Sequence, residues 1–369
     1  MKNDIQIKPT AVLGWDVGGA HLKAALVDAT GSAIAVIQVP CPLWRGLHEL
    51  EQAVEDVINQ LEQSLAVQVT TDYEFGGHVV TMTGELADIF PHRQQGVEQI
   101  SAQMLALLGE HTRFYAGNSG LVSADEVADY ASEIASANWL ASAELVSQRL
   151  PQGLFVDIGS TTADFVLFDQ YQVIERGASD GERLQQEALV YSGVIRTPLM
   201  SLGKRVPFMG EWQTLAAEHF ATTADVYRLT LDLNESEDMA ETADGSGKSA
   251  EDSARRIARM IGRDVGDAPL SAWIALAEAF KHMQLNQLKD AVLRNLSYAQ
   301  LETQASFAQA PLIGAGAGSF LVRELAAQLN RRYFDIDRLI TGHNPEAKHW
   351  AGVCLPAYAV ACIAAESFA

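Results

Sequence analysis

The chain has 369 residues, with 26 Lys and Arg against 47 Asp and Glu, a formal charge of −21 at pH 7. That length predicts two domains, and a composition of 48% hydrophobic and 20% charged residues excludes a largely disordered chain. The negative charge argues against non-specific nucleic-acid binding, and three scattered cysteines, Cys41, Cys354 and Cys362, exclude a disulfide framework or a Cys-rich metal site.

The opening MKNDIQIKP has no apolar signal core, and the expectation is a cytoplasmic protein without membrane or nucleic-acid partners. The first predicted element is an apolar strand, Ala11–Trp15, followed by Asp16-Val-Gly-Gly-Ala and a second apolar run, Ala24–Val27. Leu47–Leu65 has helical spacing, His78–Thr83 reads as a strand ending at Gly84-Glu85, and Gln94–Leu108 as a helix. Thr112–Ala116 is a strand ending in Gly117-Asn118-Ser119-Gly120, and Ser123–Leu150 reads as a helix. Pro151-Gln-Gly153 then marks a boundary. The opening design returns as Leu154–Val156, Asp157-Ile-Gly-Ser-Thr-Thr and Phe165–Phe168. Asp16 set on Asp157 aligns Gly18 with Gly159, Gly19 with Ser160, Leu26 with Leu167 and Asp28 with Asp169, 141 residues apart. A spacing of one domain's length implies an internal duplication.

Further on, Asp232–Asp252 is acidic and reads as a loop. It leads into a helix whose Arg255, Arg259 and Arg263 share a face, predicted to be solvated and salt-bridged. Two separate helices are expected at Ser271–Met283 and Gln287–Tyr298, then a strand at Ala310–Ile313. Gly314-Ala-Gly-Ala-Gly-Ser opens onto a helix, Phe320–Asn330. Trp350–Ala365 is apolar but shorter than the ~20 residues of a membrane span and is interrupted by Pro356, so it reads as a buried helix. The domain expectation is 1–150, 151–340, and a C-terminal helix at 341–369 packing back on the first lobe.

The paired turns carry the chemistry. Glycines between two strands let backbone N–H groups approach phosphate oxygens, and the hydroxyls of Ser160, Thr161 and Thr162 add donors. Asp16 and Asp157, each ending a strand, suit a Mg²⁺ ion that keeps its waters; face to face they would line one cleft. Gly314, Gly316 and Gly318 suit close approach of backbone to a nucleotide or phosphate, but the third glycine comes too early for a Rossmann fingerprint.

These three elements in this order resemble the actin / sugar kinase / Hsp70 ATPase superfamily, which implies an α/β fold of two duplicated lobes around a central cleft. Motifs in the middle of the chain narrow the resemblance: Tyr191-Ser-Gly-Val-Ile-Arg-Thr-Pro, Phe220-Ala-Thr-Thr-Ala-Asp-Val-Tyr and Thr242-Ala-Asp-Gly. With Gly14-Trp-Asp-Val-Gly-Gly-Ala and Asp157-Ile-Gly-Ser-Thr-Thr-Ala-Asp, they are similar to the hydantoinase/oxoprolinase-related proteins of the tetrahydromethanopterin-linked one-carbon pathway. The resemblance implies a Mg²⁺-dependent transferase in the biosynthesis of a methanofuran- or methylofuran-type carrier. A furan-methyl diphosphate would lose pyrophosphate to a phenolic acceptor of tyramine or tyrosine type. Asp16 and Asp157 would then hold the metal, and Gly18, Gly19, Lys23, Gly159 and Ser160 to Thr162 the diphosphate. Arg196, beside Thr197, is a second clamp or a surface ion pair. Thr222, Thr223 and Asp225 bind acceptor or metal, or else cap a helix starting near Thr223. Asp164 and Asp225 are both open as the base for a phenol, and His21 is a weaker phosphate candidate. Lys204-Arg205 and Lys248 are ambiguous cations. ATP at the late glycine segment and self-association stay open. The competing readings are an ATP-dependent small-molecule kinase or amidohydrolase, and a nucleotide-dependent scaffold.

Overall fold

The structure, a computed structural model, describes residues 10–68, 74–302 and 307–368; the MKNDIQIKP segment lies outside them. The chain divides into two compact units, residues 1–149 with 336–369, and residues 150–335.

The first unit begins with β1 (Thr10–Val17), β2 (His21–Asp28) and β3 (Ala33–Pro40), an antiparallel meander whose third strand has no counterpart among the elements read from sequence. It continues through α1 (His48–Gln68), β4 (Glu74–Met82), α2 (Arg93–Leu108), β5 (Thr112–Tyr115) and β6 (Leu121–Val122). β4 lies parallel to β1 and β5 parallel to β4, giving the sheet order β3-β2-β1-β4-β5-β6. The long helix expected over 123–150 is two short ones, α3 (Ala131–Ile134) and α4 (Asn138–Ser147). Residues 123–130 form turns, and Ser136 at φ 53° separates the helices with a conformation no α-helix accommodates.

The second unit repeats the plan. β7 (Gln152–Ile158), β8 (Ala163–Asp169) and β9 (Gln172–Ile174) form the antiparallel meander. After it come α5 (Asp180–Gln185), β10 (Leu189–Val190), the hairpin of β11 (Arg205–Phe208) and β12 (Glu211–Thr214), α6 (Thr223–Thr230) and α7 (Ala250–Met260). Then follow α8 (Leu270–Glu302), β13 (Leu312–Ala315), α9 (Ser319–Gln328) and β14 (Tyr333–Asp335). β13 is parallel to β7 and β14 to β13. The order β9-β8-β7-β13-β14 thus reproduces β3-β2-β1-β4-β5 strand for strand, with β10 pairing β8 as an addition.

α8 corrects the expectation of two helices. Residues 284–286 interrupt the apolar spacing but contain neither Gly nor Pro, so nothing stops the helix. Gln284 is fully buried and its amide is satisfied by tertiary partners described below.

The chain returns to the first unit with α10 (Pro345–Val353) and α11 (Leu355–Phe368). The apolar tract read as one buried helix is broken at Cys354, and the two helices meet at 105°. Pro356 has no N–H to continue a helix from above but fits the first turn of a new one. No single helix among the described residues is long and apolar enough to cross a membrane. α11 owes its place to small residues: a Cβ added at Gly14 of β1 would stand 2.8 Å from the Cβ of Ala361 and would strike the carbonyl of Ala357.

Beside Gly14, Trp15 projects into the other side of the sheet, where its indole N–H donates to Nδ1 of buried His78 at 3.1 Å. Burial pushes the His78 pKa down to about 4 from 6.5. The unfolded chain therefore binds a proton between those values that the folded protein excludes, and stability falls as pH drops through that window. The full linkage is on the order of 3 kcal/mol. Thermal melts of wild type and His78→Gln from pH 7.5 to 4 should diverge, with wild type losing stability more steeply; parallel curves would refute the assignment.

Candidate active site: two glycine turns ending the central strands

Each unit's first hairpin closes in the same way. In the first, Gly18 N–H donates to the carbonyl of His21 at 3.0 Å; in the second, Gly159 N–H donates to the carbonyl of Thr162 at 2.9 Å. Both turns are tied from behind through their carbonyls. Leu43 and Cys41 N–H groups donate to Gly19 and Ala20. Val194 donates to Gly159, Ile195 and Arg196 to Ser160, and Gly193 to Thr161. With the carbonyls so engaged, the amides of Gly19, Ala20, Ser160, Thr161 and Thr162 have no acceptor among the described residues. A run of backbone N–H groups without internal acceptors can take an anion. The second turn adds the paired hydroxyls of Ser160 and Thr161, 3.4 Å apart.

The backing of the second turn is deep. Gly193 lies so close that a Cβ there would run into the Ser160–Thr161 peptide. Its carbonyl accepts from Gln284 Nε2 at 2.9 Å and from the Thr223 hydroxyl at 2.9 Å, and Gln284 also donates to the carbonyl of Ser192 at 3.1 Å. The Tyr227 hydroxyl donates to the remaining Gln284 oxygen. Thr223 therefore braces the turn from beneath. Sequence reasoning missed Gln284 because its partners lie 57 to 92 residues away.

The acidic groups differ between the units. Asp16 faces Lys23 across β1 and β2, with Nζ 3.4 Å from Oδ2. The carboxylate is only 2% exposed, and Oδ1 has no hydrogen-bond partner among the described residues. Thr81, its neighbour on β4, is also buried with an unpartnered hydroxyl. At the equivalent place in the second unit Asp157 faces Asp164, whose Oδ1 is held by the buried Arg183 at 3.0 Å. Like charges directly opposite each other repel, and Arg183, unforeseen from sequence, offsets that. Asp164 is thus tied to a guanidinium. His21 is buried at the start of β2.

The late glycine segment packs against the second turn. Gly316 has φ +76°, and a Cβ there would strike Asp157 Oδ1 and the Ile158 carbonyl. Gly318 donates to Ile158 O at 2.8 Å, and a Cβ on it would meet Val194 at 2.9 Å. One at Gly314 would meet the Tyr333 ring at 2.8 Å and Val322 at 3.0 Å. Gly316 and Gly318 thus permit close packing against the Asp157 turn, and Gly314 against Tyr333 and Val322.

Arg196 is exposed immediately behind the second turn, its N–H 2.8 Å from Ser160 O, and the neighbouring Thr197 hydroxyl is buried with no partner among the described residues. Thr222 and Asp225 cap α6. Asp225 Oδ2 accepts from Thr222 N–H at 3.1 Å, while Oδ1 accepts from Arg256 at 2.7 and 2.9 Å and from Arg228 at 2.9 Å. Both Asp225 oxygens are thereby engaged within the protein. Arg255 pairs with Asp252 at 3.0 Å and Arg259 reaches Asp244 at 3.4 Å, while Arg263 stands over the Phe208 ring. Lys248 binds Asp238 and Arg205 stacks on Trp212.

A duplicated five-stranded plan, with a glycine turn after each first strand and a third glycine segment after β13, defines the actin-like ATPase fold. Among solved structures, an acetone carboxylase in its nucleotide-free state aligns with a TM-score of 0.55 at 11% identity, covering 97% of this chain and 70% of that one. The chain belongs to the hydantoinase/oxoprolinase family, whose model matches residues 77–351. A curated relative from Methanocaldococcus jannaschii is 27% identical over 69% of this chain and 72% of its own length; it is a (4-{4-[2-(gamma-L-glutamylamino)ethyl]phenoxymethyl}furan-2-yl)methanamine synthase. A protein of the same name from Methanococcus vannielii is 25% identical over 51% of this chain and 82% of its own.

Proposed function

We propose that the protein joins an aminomethylfuran-methyl diphosphate to a phenol, forming an aryl ether in the biosynthesis of a methanofuran-type carrier. The chain is an enzyme, as its synthase relatives are. The product named for those relatives contains a phenoxymethyl-furan, and its ether bond is the one this reaction would form. The observation that carries the reading is the second turn, with three amides without internal acceptors and two hydroxyls suited to a diphosphate.

In the reaction the furan-methyl carbon–oxygen bond breaks with its electron pair leaving on the diphosphate. The phenol oxygen bonds to that carbon, and one proton is released with pyrophosphate. The turn amides, with Lys23 at the first turn or Arg196 at the second, would stabilise the departing charge, and positioning of the phenol would supply much of the rest. The residues would fit a Mg²⁺ ion, since the buried Asp16 Oδ1 has no hydrogen-bond partner among the described residues. That suits an ion held by one or two carboxylates and substrate phosphates. Asp16 beside the first turn, or Asp157 beside the second, would hold it, and it would neutralise charge on the leaving group. No side-chain base is assigned, since Asp164 is tied to Arg183 and both Asp225 oxygens are engaged.

The test is mass-spectrometric detection of product after incubating the protein with Mg²⁺, the furan diphosphate, and tyramine, tyrosine or glutamyl-tyramine in turn. A mass equal to both substrates less pyrophosphate supports the reading and identifies the acceptor. No ether with any phenol refutes it.

A further inference from the structure

We propose that Gln284 is a positioning residue for the diphosphate: from within α8 it fixes the segment that holds the carbonyls of the second turn, and so sets the aim of the Ser160, Thr161 and Thr162 amides. The proposal rests on the reaction proposed above, with the diphosphate at that turn. It names the group that shapes the seat without touching the substrate.

The position invites an apolar side chain. Phe280 and Leu288, one turn to either side on the same face, are buried in the core of the second unit, and Gln284 is fully buried with them. A carboxamide there is unfavourable unless its donors and its oxygen find partners. Both do. Nε2 donates to the carbonyls of Ser192 and Gly193 at 3.1 and 2.9 Å, and Oε1 accepts from the Tyr227 hydroxyl. Flipped, the amide would set its oxygen against two carbonyl oxygens, so the hydrogen bonds fix its orientation. Burial, with Asp232, Glu324 and Glu278 nearby, pushes the Tyr227 pKa up and keeps the proton that Gln284 accepts.

The segment that Gln284 holds grips the turn. Residues 191–196 lie in neither helix nor strand. Their N–H groups take the turn carbonyls: Gly193 that of Thr161, Val194 that of Gly159, and Ile195 and Arg196 that of Ser160. Gly193 is the point of closest approach, where an added Cβ would stand 2.4 Å from both Ser160 C and Thr161 N. Its N–H is bound to the turn and its carbonyl to Gln284 and Thr223, so two hydrogen bonds in series join Gln284 to the Thr161 peptide. A shift of Gly193 therefore turns the peptides whose amides would face phosphate oxygens. Hydrogen bonds weaken steeply as their angle departs from linear, so a small rotation is felt by the ligand.

The test is calorimetric titration with inorganic pyrophosphate in Mg²⁺ buffer, at a temperature where melts show each variant folded. Gln284→Met keeps the side chain's length and an apolar fit but no longer bonds the carbonyls, and should bind pyrophosphate about tenfold more weakly. Its kcat/KM for the furan diphosphate should fall at least as far, since charge on the diphosphate grows as the bond breaks. Leu276→Ala, in the core earlier on α8, and Gln287→Ala, which bonds only the Ser192 hydroxyl, should keep pyrophosphate affinity within about twofold. Gln284→Met/Tyr227→Phe leaves no orphaned hydroxyl, should show the same loss, and serves if the single variant does not fold. Unchanged affinity in a folded Gln284 variant overturns the proposal. So does equal weakening by Leu276→Ala, the mark of a purely structural role. Either result beside wild-type ether formation refutes the positioning alone, whereas wild type that converts no furan diphosphate with any phenol refutes the reaction and the positioning with it.

Discussion

Asp16→Asn should lower Mg²⁺-dependent turnover by roughly 10²–10³-fold and leave the protein at least as stable as wild type. The two halves of that result have one cause. Asp16 is buried at the end of β1, one oxygen 3.4 Å from Lys23 and the other without a partner among the described residues. A buried polar atom left unsatisfied costs about 1–3 kcal/mol, and such a cost persists where function requires it. Asparagine has the same shape, removes the buried charge and gives up the metal ligand. Pyrophosphate release over a Mg²⁺ titration, alongside a thermal melt, reads both effects. Full activity in the variant would remove Asp16 from the mechanism; a collapse in stability would make it a structural residue.

The second large effect belongs to Arg256. It is fully buried on α7 and binds Asp225 Oδ1 twice, the Asp244 carboxylate at 3.0 Å and the Gly247 carbonyl at 3.0 Å. Asp225 is equally buried and caps α6, whose first residue, Thr223, braces the second turn. Arg256→Ala removes one partner and leaves the other desolvated, which typically costs about 3–5 kcal/mol. For a unit of this size the melting temperature should fall by on the order of 10 °C. Arg255→Ala, one residue earlier and partly exposed, should shift stability by less than about 1 kcal/mol. Equal effects from the two arginines would refute the distinction.

That pair of neighbours shows how much was legible beforehand. The 255, 259, 263 stripe stands out in sequence because exposed charges recur every four residues. Arg256 lies off that stripe, and its partner Asp225 is 31 residues away; no local pattern reports a buried ion pair. The same holds for Arg183 on Asp164 and for Gln284, whose polarity interrupted an apolar rhythm and suggested a helix end where α8 runs on. The paired Asp–Gly turns were readable for the opposite reason: strand, acid, glycine and second strand are contiguous, so the repeat survives in the linear chain. For Thr222 and Asp225 the sequence left a helix cap and an acceptor or metal role both open, and the structure shows the cap. β3 escaped notice, although its neighbours were read, as did the break at Ser136, which depends on a single positive φ. The late glycines were read as sites of close approach to a nucleotide or phosphate; the atoms an added Cβ would meet there belong to Asp157, Ile158, Val194, Val322 and Tyr333.

The most direct test of the central claim is the stoichiometry of pyrophosphate release by the wild-type protein. With Mg²⁺, furan diphosphate and a phenol, one pyrophosphate should appear for each ether formed, and release should depend on the phenol and not on ATP. Consumption of ATP without ether, at a rate indifferent to the phenol, would contradict the account and return the chain to nucleotide chemistry.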